Sequence, residues 1–100
     1  MLDHATITAN DFRPHLGSRF DVTVAESDSV ELTLLEATEV GAERPGHRRG
    51  FSLMFGGGSI SRILPQRTYT FHHAQLGDFE LFIVPRTPQA NEPRYEAVFN

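Results

Sequence analysis

Short stretches in which apolar and polar residues alternate recur along this chain, and no helix-length segment lies between them to carry a parallel crossover. Neighbouring side chains of an extended strand point to opposite faces. A stretch such as Phe20-Asp-Val-Thr-Val24 therefore buries one face and leaves the other to water. The same pattern recurs with Val30, Leu32 and Leu34, then with Phe51, Leu53 and Phe55, and then with Tyr69 and Phe71. Asp78–Pro85 is the strongest instance, with Phe79, Leu81 and Ile83 on one side, and Tyr95–Asn100 is the last. Strands this short, joined by turns, can pair only with antiparallel neighbours.

The segments between them sharpen the plan. Thr8–Gly17 carries helix punctuation: Thr8 or Asn10 as cap, Asp11 in the first turn, and Phe12 and Leu16 four residues apart. Pro14 and Gly17 limit it to one or two turns, with Phe12 and Leu16 expected to cover one end of a sheet. Leu35 breaks the alternation of its strand, as at a bulge. Leu32–Val40 would also suit a helix, but its β-branched residues and the alternation before it favour a strand. Gly41–Gly50 reads as a polar hairpin tip, Gly56-Gly57-Gly58-Ser59 as an interruption, and Thr87–Pro93 as a loop. Ile60–Leu64 is expected to return to the core. Phe82 and Val84 make the second face of their strand apolar too, which implies a strand covered on both sides. Val98 and Phe99 are expected to be paired and buried. The fold class that follows is mainly all-β: an antiparallel meander of about six strands forming a small barrel or sandwich, with a short N-terminal helix. Residues 1–100 are expected to form a single β-rich domain.

Composition excludes several chemistries. The chain has 100 residues and no cysteine, so disulfide frameworks, thiol nucleophiles and zinc knuckles have no ligands or nucleophile to use. It also has no lysine, which removes Schiff-base chemistry and the P-loop lysine. Its net charge of −4 is unevenly placed: residues 1–43 hold nine acids and two arginines, residues 44–100 seven arginines and four acids. Early acidic strands beside later arginine-bearing ones would partly cancel; a surface with two polar faces would instead suit stacking against neighbours. Neither half has a dense basic stripe, so a nucleic-acid partner is not expected. The first residues have neither a basic n-region nor an apolar h-region, so cytoplasmic synthesis without a signal peptide is expected. No run is long and apolar enough to expect a membrane span.

Several blocks together carry a resemblance. They are Phe12 with His15-Leu-Gly-Ser18, Phe20, Phe51-Ser-Leu-Met-Phe55, Leu64-Pro-Gln-Arg-Thr-Tyr69, His73, Leu76-Gly-Asp-Phe79, Leu81–Pro85 and Tyr95-Glu-Ala-Val-Phe-Asn100. The pattern resembles a family of small bacterial single-domain proteins known only as a domain of unknown function. The resemblance implies a stand-alone domain of this length and brings no activity to any residue. It also implies an association with phage-tail-like or collar-domain proteins. Gly56-Gly57-Gly58 departs from the pattern, which leads one to expect a bulkier or charged residue after Phe55.

Few constellations could carry chemistry. His72 and His73 are adjacent in a strand and point to opposite faces, so they cannot chelate one ion together. His73 could meet Asp78 across the Ala74–Gly77 turn, but two ligands do not make a catalytic zinc site. Ser59 and Ser61 lack nucleophile-elbow spacing. No catalytic, cofactor-binding or metal-ligating residues are assigned, and no cofactor is expected. The candidate partner contact is His47, Arg48 and Arg49, because guanidinium groups on an exposed loop can grip carboxylates or phosphates. The expected function is a non-enzymatic structural or protein-interaction module with a protein partner or homo-oligomer, in its finer form a subunit or assembly factor of a phage-tail-like particle. The alternatives are a small-ligand-binding β-barrel and a metal-assisted enzyme using His72, His73 and Asp78.

Overall fold

Six antiparallel strands close into one barrel: β1 (Arg19–Ala25), β2 (Asp28–Glu39), β3 (Phe51–Gly57), β4 (Arg67–His73), β5 (Gly77–Gln89) and β6 (Glu92–Phe99). A short helix, α1 (Ala9–Phe12), and a 3-10 turn (Arg13–His15) precede them. The computed structural model describes residues 7–41 and 49–99. The expected fold class is present: mainly β, six-stranded, antiparallel, with one short N-terminal helix. The order around the barrel is β1-β2-β3-β6-β5-β4, with β4 returning to β1. Two three-stranded meanders thus face each other, joined by residues 58–66.

The alternation in the sequence becomes the inside and outside of this wall. Phe20, Val22, Leu32, Leu34, Phe51, Leu53, Phe55, Phe71, Ile83 and Tyr95 are fully or almost fully buried. Their rings pack against one another: Phe51 stacks on Phe99 with centroids 4.4 Å apart, and Phe20 meets Phe55 edge-on at 5.3 Å. Burying one such side chain stabilises by about 1.5–3 kcal/mol, and these rings are the main apolar burial the fold has. Phe12 of α1 plugs one mouth, with its ring about 6 Å from Phe51, Phe79 and Phe99. Asp11 holds that helix in place by accepting the Thr8 N–H at 2.7 Å. At the other mouth the Leu64 N–H donates to the Tyr95 hydroxyl at 2.9 Å, and the Tyr69 hydroxyl donates to the Pro65 carbonyl at 2.7 Å. The buried tyrosine oxygens therefore bind the joining segment rather than a ligand.

Local details follow the sequence closely in some places and depart in others. The bulge expected at Leu35 is present, as the β2/β3 register shifts between Leu34 and Glu36. Gly56 has a different explanation from the loop role its position suggested. It lies within β3, opposite Thr33 and Arg94, and a Cβ there would come within 2.9 Å of Leu35, Glu92 and Arg94 side-chain atoms. Those atoms are the ends of flexible side chains that can move aside; the strict requirement falls on Gly57, at φ +137, where a Cβ would lie 2.7 Å from the Glu31 carbonyl oxygen. The segment Thr87–Pro93 is not a loop. β5 runs on to Gln89 and β6 begins at Glu92, so a two-residue turn of Ala90 and Asn91, both at positive φ, joins them. Pro88 fits because the ladder is irregular between Arg86 and Gln89.

Five apolar side chains are not where the sequence pattern put them. Leu16 is 47% exposed, because the 3-10 turn after Phe12 tightens the rotation per residue and turns it off the Phe12 face. Ile60 and Ile63 of the joining segment are also exposed, and only Leu64 returns to the core. Phe99 is buried as expected, but Val98 is 56% exposed. Phe82 is 51% exposed, since a single-walled barrel has no second layer to cover the outer face of β5.

Candidate contact surface

Of the expected contact patch, His47 and Arg48 lie outside the described residues. Arg49 is described and is engaged locally. Its Nη1 lies 3.7 Å from Glu39 Oε1, and its Nε donates to the Gly41 carbonyl at 3.3 Å. It braces the base of the hairpin between β2 and β3.

His72 and His73 do point to opposite faces. His73 is buried at the end of β4, and its hydrogen bonds fix its tautomer. The N–H groups of Gln75 and Leu76 both lie 3.1 Å from its Nδ1, so that nitrogen accepts and carries no proton. Nε2 then carries the proton and donates to Ser18 Oγ at 2.9 Å, and the Ser18 hydroxyl donates to the His15 carbonyl at 2.6 Å. Burial, and secondly the neighbouring His15, hold the His73 pKa below the usual histidine value. Every polar atom in this chain is committed to closing the β4–β5 turn against β1. Ser18 is not poised as a nucleophile, because the ring nitrogen facing it is a donor.

Outside the wall, it is His72 that reaches Asp78, not His73. These two are direct partners across the β4/β5 ladder, whereas His73 pairs with Gly77. His72 Nδ1 donates to Asp78 Oδ1 at 2.8 Å, and in the neutral ring Nε2 accepts from the Thr23 hydroxyl at 2.8 Å. The order hydroxyl, imidazole, carboxylate is that of an acyl-transfer triad. Thr23, however, pairs with Ser29 on one side and Thr70 on the other, which commits the backbone around it to ladders. Beside it, an open cleft of about 500 Å³ is lined by Ser18, Arg19, Asp21, His72, His73 and Gln75. Arg19 is spent there on Asp21 and Glu31 at 3.1 and 3.3 Å. Among the described residues no group of three or more histidine, aspartate or glutamate side chains is placed to hold a metal ion.

The most distinctive outer surface lies on β5 and β6. The ladder between them begins at Val84↔Glu96 and continues toward the Ala90–Asn91 turn, and its register does not extend to residues 79–83 of β5 and 97–98 of β6. β5 remains paired there with β4, and β6 with β3. A groove of about 390 Å³ opens at this place, lined by Thr68, Glu80, Phe82 and Val98 with the inner residues beneath them. The outward row of β5 reads Asp78, Glu80, Phe82, Val84, Arg86. Sequence reasoning missed Phe82 and Val98 as surface groups. The signal was present: a strand apolar on both faces, in a chain whose element list holds nothing to cover the second face.

Charge is partly settled by the fold. Arg49–Glu39 and Arg62–Asp28 join the arginine-bearing part of the chain to the acidic part, so the two partly cancel. The Arg62 guanidinium holds the Asp28 carboxyl below the ordinary carboxylate range. No helix among the described residues is long and apolar enough to cross a membrane.

Comparison with known proteins places the chain in a group without an assigned activity. A family model described as Domain of unknown function (DUF6916) matches residues 7–99. No curated protein and no solved structure matches the chain.

Proposed function

The chain belongs to the DUF6916 family, a domain of unknown function, and we propose that it is a non-enzymatic protein-interaction module that docks through the outer face of β5 and β6. The observation that carries this reading is the pair Phe82 and Val98, each more than half exposed, side by side over the groove where the β5/β6 ladder is open. A phenylalanine left in water on a strand, beside an exposed valine, forgoes apolar burial that a partner surface would supply. Two further observations support a surface role rather than a reaction. The Ser18 hydroxyl beside His73 is tied to the His15 carbonyl, and Thr23 sits within the β1 ladders to β2 and β4. The barrel interior is filled ring to ring, which weighs against an interior ligand. The finer form of the reading, a subunit or assembly factor of a phage-tail-like particle, rests on the sequence resemblance alone.

The test is site-specific photocrosslinking in the cells that make the protein. A benzoylphenylalanine replaces Phe82 in one variant and Glu31, an exposed β2 residue separated from β5 by β1 and β4, in a control. A single discrete adduct from position 82, identified by mass spectrometry and missing from position 31, is expected. No adduct from position 82, or the same adducts from both positions, overturns the reading.

A further inference from the structure

The outward row of β5 has an order that selects its own partner. Reading along the strand it runs from acid through apolar to base: Glu80, Phe82, Val84, Arg86. A two-fold axis lying in the plane of contact, across the strand and above Ile83, sets Glu80 opposite Arg86 and Phe82 opposite Val84 of the second copy. A second copy laid antiparallel over the first therefore sets each carboxylate against a guanidinium and each apolar side chain against another. Self-complementarity under a two-fold rotation is what an isologous interface requires. A parallel arrangement would set like against like.

We infer that the partner of this face is a second copy of the same chain, docked antiparallel about Ile83 as a symmetric dimer. The inference rests on the reading of the β5/β6 face as an interaction surface. The neighbouring groups suit it. Thr68 and Thr70 flank Phe82 and Glu80 on the β4 side and are small enough to let the two walls approach. Val98 widens the apolar centre on the β6 side. No ion pair or side-chain hydrogen bond engages Glu80 within the described part of the chain. The ion pair of Arg86 is long, Nε to Glu96 Oε1 at 3.8 Å, which leaves its terminal nitrogens for a second carboxylate. The two ends of the row thus keep their charges for use between copies. An exposed phenylalanine at the centre with charges at the rim is also the usual anatomy of such a contact.

Sedimentation equilibrium on the purified full chain tests the inference. The wild-type protein is expected to form a dimer that saturates at two copies. Phe82→Asp is expected to weaken association about thirtyfold or more, as loss of a central anchor does. Glu80→Arg and Arg86→Glu alone each set like charges together and are expected to weaken it about tenfold. The double variant, with both charges exchanged, is expected to recover association to within about threefold of wild type, because the row is again self-complementary. Near-ultraviolet circular dichroism confirms that each variant keeps its packed aromatic interior. A wild-type chain that stays monomeric to about 1 mM, growth without a plateau at two, or a double variant as weak as the singles overturns the symmetric dimer. If the photocrosslinking adduct is a different protein and the purified chain is monomeric, the interaction reading stands and only the second copy is refuted.

Discussion

His73 shows how one side chain can fix a junction. Its ring ties the turn after β4 to the start of β1 through two backbone N–H donors on Nδ1 and Ser18 on Nε2. The arrangement works only while Nδ1 is unprotonated. A second proton would turn the acceptor of two N–H groups into a donor facing them. The folded state therefore favours the neutral ring, in keeping with a pKa held below the histidine value of 6.5. The sign follows: above the unfolded pKa the contribution is complete, and it is lost as pH falls through the lower folded value. Urea denaturation is expected to show stability that is flat just above pH ~6.5 and declines below it. His73→Leu should cost about 2–4 kcal/mol at pH ~8 by leaving two N–H groups unpaired, and should flatten that decline. A decline that survives the substitution unchanged would assign it to other groups. Asp28 adds its own loss only at lower pH, below the ordinary carboxylate range, where the Arg62 contact is broken. That the two adjacent histidines face apart was legible from alternation alone. That His72 rather than His73 meets Asp78 was not, because it depends on the register across the β4–β5 turn.

β5 shows the same limit over a whole element. Its alternation marks Phe79, Leu81 and Ile83 as one face, and all three are buried. The second face, Phe82 and Val84, carries the same apolar character for a different reason, and pattern alone cannot separate burial by the fold from burial by a partner. The two phenylalanines separate the cases. Phe79→Ala removes a ring packed about 6 Å from Phe12, Phe20 and Phe71 and should cost about 3–5 kcal/mol. Phe82→Ala should cost under about 1 kcal/mol, as expected of an exposed position. Chemical denaturation at a concentration where the chain is monomeric measures both. Equal costs would mean that Phe82 is covered within its own chain. Further along, prolines 88 and 93 hid the continuation of β5 and β6, since proline reads as a breaker unless a ladder irregularity leaves room for it.

At the scale of the molecule, the strands were legible and their order was not. Alternation and turn residues specify where a strand lies. The pairings that close this barrel, β1 with β4 and β3 with β6, join strands far apart in sequence and are set by residues 58–66 crossing one mouth. The sign of that crossing in the sequence is slight: Leu64 buried, and two tyrosines whose hydroxyls bond to the segment. Closure makes β6 indispensable, because it alone spans the two meanders on that side, pairing with β3 along Phe51–Gly56 and with β5 from Val84 onward. Removing residues 95–100 takes away the Phe51–Phe99 stack, the Tyr95 support for Leu64 and most of the β3 ladder. It also leaves β3 and β5 as open edges, which invite aggregation. The truncated chain is expected to be insoluble or unfolded, with loss of its near-ultraviolet aromatic signal. A soluble truncation product with that signal intact would mean that the first five strands hold together without closure.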